Sequence, residues 1–570
     1  MEVSVRDFRK KIEKKISDGA LSEALWAITE FVSDIISHQS SVGRVLSSPD
    51  LDELCACIGE LALKESRPEN NLIRSRSHTI YLVTELSKTG GLTRLLLDII
   101  ECGGVGDHTI LISNLNENTQ YADIEALFEL SNVSIHICPY SDNFERLCWL
   151  QAQLMRWRPW RTYVLPHHFD APLIAACHPD IVGDLVYIHN CNHALALGIH
   201  LKGARHVDLH AKGFYYCRES GGISRNELWL LAAKDFGCRS SDDFLKGGKT
   251  LTCTSGGFEK FESFHFWERV PYAYRYEDIL PSILLSTNGC HLHIGQLSEC
   301  FLQELYRALQ RSGIGLDRFI HVPFVPSLSR ALLDYEVDIY IGSFPLGGGK
   351  ATVEAMAAGI PLAVHSNYRS NLLSVESEVH PGACVWRNPE ELCEFLRVQD
   401  KSTLKDLSQK SRAFYIANHT IGRLRAAMES RCELLPPRPL FRPDVLQSYL
   451  DDRQACWESE EKVIVSEEMA KHSQREKKLL FDEIDKLKNE VRDALLFGKS
   501  REDQWIKQFQ ELSNRLEDSD RQCVTLKASL EFQREITWRG IKRARSVINN
   551  TGKYRCRALM WRLGEFFGLR

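Results

Sequence analysis

The run Gly347-Gly348-Gly349-Lys350 is the stretch whose residue types speak most plainly of chemistry. It stands in DIYIGSFPLGGGKATVEAMAAGIP, residues 338–361, after the apolar run Ile339-Tyr340-Ile341 and before the helix-forming run Ala351 to Ala358. Glycine lets the backbone approach a ligand closely. A helix N-terminus offers unpaired N–H groups and partial positive charge, a setting that suits a phosphate. Lys350 adds a full charge there, and Thr352 belongs to the same first turn. Glu354, one turn into the helix, is placed to accept hydrogen bonds from ribose hydroxyls. Gly359 and Pro361 close the helix.

A second group of chemically able residues lies in YIHNCNHALALGIHLKGARHVDLHAKGFYYC, residues 187–217, which holds His189, His193, His200, His206, Asp208 and His210. An imidazole titrates near neutrality and suits general-base work. His193 starts an apolar run after a polar turn and is the first candidate. Asp208, between Val207 and Leu209, is a candidate to orient a histidine or to act as the base itself. Alternation along His206-Val-Asp-Leu-His210 would equally well describe one solvated strand face. The cluster has neither the H-E-x-x-H pattern nor a Cys/His finger spacing, so no metal site is expected.

These groups need elements to hold them. Residues 1–76 carry apolar positions at helical spacing and read as an appended helical region, for packing in the first place or else for docking the acceptor. From His78 the pattern becomes strand, loop with Gly90-Gly91, and apolar helix. Strands are expected at 108–114, 133–140, 161–168 and 184–190, with helices between them, including one in YADIEALFEL. A second α/β unit begins near Lys249, with TLTCTSGGFEKF as strand and Ser/Gly loop, and runs to a final helical stretch at 389–430. Such alternation argues parallel sheets covered by helices on both faces. No G-x-G-x-x-G follows the first strand, which argues against a nicotinamide enzyme.

Over roughly residues 78–430 the chain resembles GT-B glycosyltransferases, in three pieces. TELSKTGGLTR, with Gly90 and Gly91, is similar to the acceptor-domain loop that approaches the donor phosphates. CTSGGFEK, with Ser255, Gly256 and Lys260, is similar to the donor-domain loop whose lysine neutralises the diphosphate. FPLGGGKATVEAMAAGIP is similar to the nucleotide-sugar loop and helix. Within the superfamily, Pro345 to Glu354 fits the donor-loop spacing of O-GlcNAc transferases and bacterial cytoplasmic N-glycosyltransferases, and His321-Val-Pro-Phe-Val-Pro326 partly meets their H-x-H-T-P-Y segment. The AMAAGIP tail looks GT4-like; of the two glutamates of that group, Glu354 matches the second, while Leu346 stands at the first.

The resemblance implies two Rossmann-like domains facing a cleft, an acceptor domain at 77–245 and a nucleotide-sugar domain at 246–430. It implies transfer of a sugar from a nucleotide donor, expected here to be uridine-linked, to a surface glycan, lipid-linked glycan or protein side chain. The leaving diphosphate would be stabilised by Lys260, Lys350 and the amides of Gly347 to Gly349 rather than by a metal, and no cofactor is implied. A non-catalytic scaffold that kept the fold is the competing reading, and Leu346 is its best support.

After residue 430 the composition changes. Four prolines in ELLPPRPLFRPDV mark a linker at 431–455. Residues 456–537 are highly charged, and Leu480, Ile484, Leu487 and Val491 step by four and three, the seam of an oligomeric coiled coil. Residues 538–570 carry nine basic side chains against Glu565, interleaved with aromatics such as Trp538 and Trp561, which suits an anionic membrane surface or a protein partner. Over all 570 residues, 44% hydrophobic and 26% charged composition is that of a globular protein, and a net charge of -5 argues against wholesale nucleic-acid binding. The 18 cysteines show no paired spacing and read as reduced thiols of a cytoplasmic protein. The N-terminus lacks the apolar core of a signal peptide, and no run is apolar enough to span a membrane.

Overall fold

Short β-branched runs between amphipathic helices build two parallel sheets. The structure is a computed structural model that describes residues 4–37, 43–66, 75–87, 90–104, 106–117, 119, 124, 128, 132–191, 193–240, 244–262, 274–344, 346–366, 374–429, 446–451 and 511. Residues 4–449 form one compact unit, and 1–3 with 450–570 form another. The segments expected as coiled coil and basic tail lie outside the described residues, apart from Glu511, as does the helix expected at YADIEALFEL, apart from Ile124 and Phe128.

Three helices open the first unit: α1 (Val5–Ser17), α2 (Leu21–Ser37) and α3 (Pro49–Ser66). Their apolar faces pack against helices of the following domain, as Ile28, Val32, Leu54 and Ile58 are fully or almost fully buried. That domain runs β1 (Ser75–Val83), α4 (Gly91–Cys102), β2 (Asp107–Ile112), β3 (Val133–Ile137), α5 (Asn143–Trp157), β4 (Pro159–Leu165), α6 (Ala171–Ala176), β5 (Asp184–His189), β6 (Arg205–Asp208), α7 (Ala211–Glu219) and β7 (Asn226–Leu228). All its strand pairs are parallel, in the order β3-β2-β1-β4-β5-β6-β7. Strand β7 is an addition that the alternation in the sequence did not mark.

The second domain runs β8 (Leu251–Ser255), α8 (Tyr276–Ser286), β9 (Cys290–Ile294), α9 (Glu299–Arg311), β10 (Phe319–Val322), α10 (Leu328–Asp334), β11 (Ile339–Ile341), α11 (Gly349–Ala357), β12 (Leu362–His365), β13 (Cys384–Trp386), α12 (Pro389–Arg397), α13 (Lys401–Asn418) and α14 (Ile421–Met428). Its sheet is parallel too, ordered β10-β9-β8-β11-β12-β13. Counted from its own first strand, that is 3-2-1-4-5-6, the Rossmann order, and the first six strands of the other sheet follow it as well. In such sheets ligands bind beyond the carboxyl ends of the strands, where the order reverses. Here those ends are the loops after β1 and β4, and after β8 and β11.

Local chemistry sets the ends of the helices. Asp142, Asp170, Ser298, Ser327, Asn388 and Asp400 each accept a first-turn N–H of the helix that follows. The region 389–430 is three helices rather than one stretch, and α14 leaves the second domain to pack on α4 of the first. The domain boundary expected at residue 430 therefore falls at α13. Tyr415 Oη donates to the Ala233 carbonyl at 2.9 Å, and Ala233 N–H donates to the His419 carbonyl at 2.9 Å. One hydrophobic cluster runs through both domains, from Leu96 and Ile99 through Ala232 and Ala233 to Met356 and Leu424. Part of the expected linker is ordered as well: residues 446–449 are helical, Gln447 Oε1 accepts the Val5 N–H at 2.9 Å, and Arg44 lies 5.5 Å above the Tyr449 ring.

Candidate active site

A cleft of about 790 Å³ lies between the two sheets. Its walls are the loops that leave the carboxyl ends of β1, β4, β5, β6, β8, β9, β10 and β11. Gly90 and Gly91 open α4, and Gly348 and Gly349 open α11, so two helix N-termini face the same space. They come close: a methyl group on Gly91 would stand 3.9 Å from Lys350 Cβ. First-turn amides have no acceptor within their helix and carry the positive end of the dipole.

Lys260 supplies the charge. It lies on a short helical turn, Phe258–Phe261, after β8, and its Nζ is 3.4 Å from Ser343 Oγ. Gly256 has φ of 150°, which a side chain rarely adopts, and a methyl there would stand 2.9 Å from Lys260 Cδ. Glycine at 256 thus lets the loop fold back over the lysine. Gly348 does the same from the other side, for a methyl on it would stand 2.6 Å from Lys260 Nζ. Ser255 Oγ bonds Tyr340 Oη at 2.7 Å, which ties the loop after β8 to β11.

Of the residues nominated from sequence, Gly90, Gly91, His193, Ser255, Gly256, Lys260, Gly347, Gly348, Gly349, Lys350 and Glu354 line this cleft. Three do not. Thr352 is buried, and its Oγ1 donates to the Gly348 carbonyl at 2.9 Å, so it braces the glycine turn from beneath. His321 Nε2 bonds the Gly295 carbonyl at 2.9 Å and shapes the loop after β9. Asp208 is wholly buried below the wall, with Asn226 Nδ2 donating to Oδ2 at 2.7 Å and His189 Nδ1 at 2.9 Å from Oδ1. Burial pushes its carboxyl up, but His206 and His189 outweigh that and hold it well below the usual range. It cannot reach an acceptor and is not the base.

Lys350 also departs from the expected placement. Its Nζ is paired with Asp98 of α4 and with the Ala232 carbonyl, so the ammonium is turned into the domain junction. Burial pushes Asp98 up in pKa against the pull of Lys350. The lysine joins the domains rather than facing a phosphate. Glu354 is half-buried, and burial raises its pKa against the pull of Lys350 and Arg94.

The structure also brings in residues that the sequence left unmarked. Glu378, 7% exposed, pairs with His210 across the cleft at 3.0 Å between Oε1 and Nδ1. Burial pushes its carboxyl up, yet His210 and Lys212 outweigh it and leave it below the usual range. Lys212 Nζ bonds the Ser374 carbonyl of the opposite domain. Arg94 Nη2 donates to the Pro326 carbonyl at 2.6 Å. Each contact pairs residues of different domains, so no local pattern announces it; the His-rich segment signalled His210 alone. His193 packs edge-on against His168 at 4.8 Å, and its pKa is pushed down to about 4 by burial, then by the charges of Lys260 and His210. At neutral pH it is an uncharged proton acceptor.

Two domains of this strand order, with their strand ends turned to one cleft, define the GT-B layout. No protein-family model matches the chain, and no curated protein matches it in sequence. Solved structures that it resembles include HepE of Anabaena in complex with UDP and glucose, at a TM-score of 0.45 and 14% identity over 62% of this chain and 98% of that one. An O-GlcNAc transferase mutant of Thermobaculum terrenum gives a TM-score of 0.44 and 14% identity over 74% and 80%. The lipopolysaccharide outer core galactosyltransferase WaaB gives 0.44 and 12% over 62% and 100%.

Proposed function

We propose that the protein transfers a sugar from a nucleoside diphosphate sugar to a hydroxyl or amide acceptor on a glycan or a protein. The observation that carries this reading is the convergence of the Lys260 ammonium with the N-terminus of α11 at Gly348, at the strand-order reversal of a Rossmann-like sheet. A diphosphate leaving group gains one further negative charge as the bond from its terminal oxygen to the anomeric carbon breaks. Fixed donors aimed at that charge lower the barrier most in a water-poor site. Lys260 and the amides at Gly348 and Gly349 are such donors. Glu354, half-buried one turn further on, is the proposed acceptor for the ribose hydroxyls. A uridine donor is the first to test, on the likeness of FPLGGGKATVEAMAAGIP to nucleotide-sugar loops.

His193 is the proposed base. Its low pKa has Lys260 as a cause, and a bound diphosphate offsets that charge, so donor binding raises the basicity of His193 as the acceptor arrives. His210 stands beside the helix that holds the phosphates, 3.1 Å from a methyl built on Gly349, and its Glu378 partner fixes the ring. Its proposed role is to hold the donor.

The test is a panel of nucleotide sugars, read by thermal shift and by release of nucleoside diphosphate. A ligand at about 100 times its Kd stabilises the fold by about 2.7 kcal/mol. One nucleotide sugar should shift the wild type and not Lys260→Ala. His193→Asn should keep the shift and lose turnover, while His210→Asn should weaken donor binding. Failure of every nucleotide to shift the wild type would leave the scaffold reading in its place.

A further inference from the structure

The buried group His189, His206, Asp208 and Cys217 does no work in the cleft described above. Strand register assembles it: His189 at the end of β5 is the partner of Asp208 on β6, and His206 lies two residues back on the same face. Cys217 comes down onto that face from α7. One ligand atom from each lies within 4.8 Å of the others, and all four side chains are buried. His189 Nδ1 is 2.9 Å from Asp208 Oδ1, His206 Nε2 is 3.4 Å from it, and Cys217 Sγ is 3.4 Å from both that oxygen and His189 Nδ1. In a tetrahedral zinc site, bonds of about 2.0 Å to nitrogen and about 2.3 Å to sulfur set the ligand atoms about 3.3–3.8 Å apart.

We propose that these four side chains bind one zinc ion, a structural site that clamps β5, β6 and α7 behind the acceptor-side wall of the cleft. The donor set is two nitrogens, an oxygen and a sulfur, the mixture that suits a borderline-soft ion in a closed four-coordinate site. The charges balance, because carboxylate and thiolate together cancel a divalent cation. The ion would otherwise be missed: among the described residues, the ion partners of Asp208 are the two histidines alone. Both imidazoles direct their polar contact at the cluster, and His189 Nε2 and His206 Nδ1 have no hydrogen-bond partner among the described residues. Asn226 holds the second carboxylate oxygen, Oδ2, and also donates to the Phe214 carbonyl at 2.7 Å. Such outer bonds aim a metal-binding carboxylate. The residues next in the chain, Asn190, Leu209 and His210, line the cleft, so the ion would fix the base from which they project.

Metal content of the full-length protein decides this, independently of any activity. The untagged protein is expressed with zinc supplementation, gel-filtered and measured by plasma mass spectrometry. About one zinc per chain is expected. Protein grown with cobalt instead should show tetrahedral d–d bands and a thiolate-to-cobalt charge-transfer band. Cys217→Ser should lose that band, and His206→Gln should lose most of the metal. Wild type with less than about one-tenth of an ion per chain and no cobalt spectrum would overturn the proposal and leave a hydrogen-bonded network only. Full metal content and an unchanged charge-transfer band in Cys217→Ser would place the ion elsewhere and overturn it equally. Should Cys217→Ser not fold, the wild-type metal content and cobalt spectrum still decide.

Discussion

Gly348→Ala places one methyl group into the space that Lys260 uses. The new Cβ would lie 2.6 Å from Lys260 Nζ and 3.1 Å from Ser343 Oγ. Comfortable contact needs about 3.5 Å or more, so the ammonium must retreat by about 1 Å. The fold itself should not suffer. Gly348 has φ of -117° and ψ of 89°, which alanine tolerates, and Lys260 Nζ is the far end of a flexible side chain. Glycine-to-alanine changes at compatible positions stabilise by about 0.4–1 kcal/mol. Binding of a nucleoside diphosphate should suffer instead. A hydrogen bond to a charged group contributes about 1.5–3 kcal/mol, so its loss weakens Kd by about 10- to 150-fold. Isothermal titration calorimetry measures Kd, and a melting curve checks the fold. Lys260→Ala should weaken binding at least as much, and the double variant should be no weaker than Lys260→Ala alone, because both changes remove the same contact. Wild-type affinity in Gly348→Ala, to within about threefold, or full additivity in the double variant, would refute the view that this lysine holds the diphosphate.

Three further outcomes test other parts of the structure. Lys350→Met should leave nucleotide affinity within about threefold but lower stability by about 3–5 kcal/mol, the cost of orphaning a buried partner, since Lys350 and Asp98 side chains are only 12% and 8% exposed; chemical denaturation beside calorimetry separates this from a phosphate role. Glu378 has a depressed pKa, so its stabilisation is full above the ordinary value of 4.5 and is lost as pH falls through the folded value. Glu378→Gln should therefore be less stable than wild type at pH 7, and the two denaturation curves should converge in acid. Burial pushes His291 and His293 down to about 3 and His365 down to about 4, from 6.5. The unfolded chain then binds more protons below pH 6.5, so stability should be full above that pH and fall as it drops towards 4, at up to about 1.4 kcal/mol per pH unit for each such histidine. Urea midpoints that stay flat between pH 7 and 5 would contradict this.

The sequence revealed what is local. The glycine turn with its helix and the Ser/Gly loop carrying Lys260 depend on neighbours in the chain and stand where the pattern placed them, as does most of the strand-and-helix alternation among the described residues; β7 and the division of 389–430 into three helices were not marked by it. What it hid depends on the other domain. Lys350 was correctly set at a helix N-terminus, but its side-chain direction is decided by Asp98 and Ala232. The His210–Glu378 pair exists only when the domains meet. The alternation His206-Val-Asp-Leu-His210 fits a solvated strand face and a buried one alike; α7 covers it, so His206 and Asp208 are buried instead.

The chain passes between the domains twice, once after β7 and once between α13 and α14. The two crossings lie side by side: Ala233 pairs with Thr420 in a parallel bridge, and His419 Nδ1 bonds the Leu231 carbonyl at 2.7 Å. A single tether would let one domain swivel freely about the other. Two adjacent, hydrogen-bonded strands of chain act as a hinge with one pin. A rotation about that line would change the width of the cleft between Lys260 and His193, and it would have to break the Lys350–Asp98, Lys212–Ser374 and Arg94–Pro326 contacts that also join the domains.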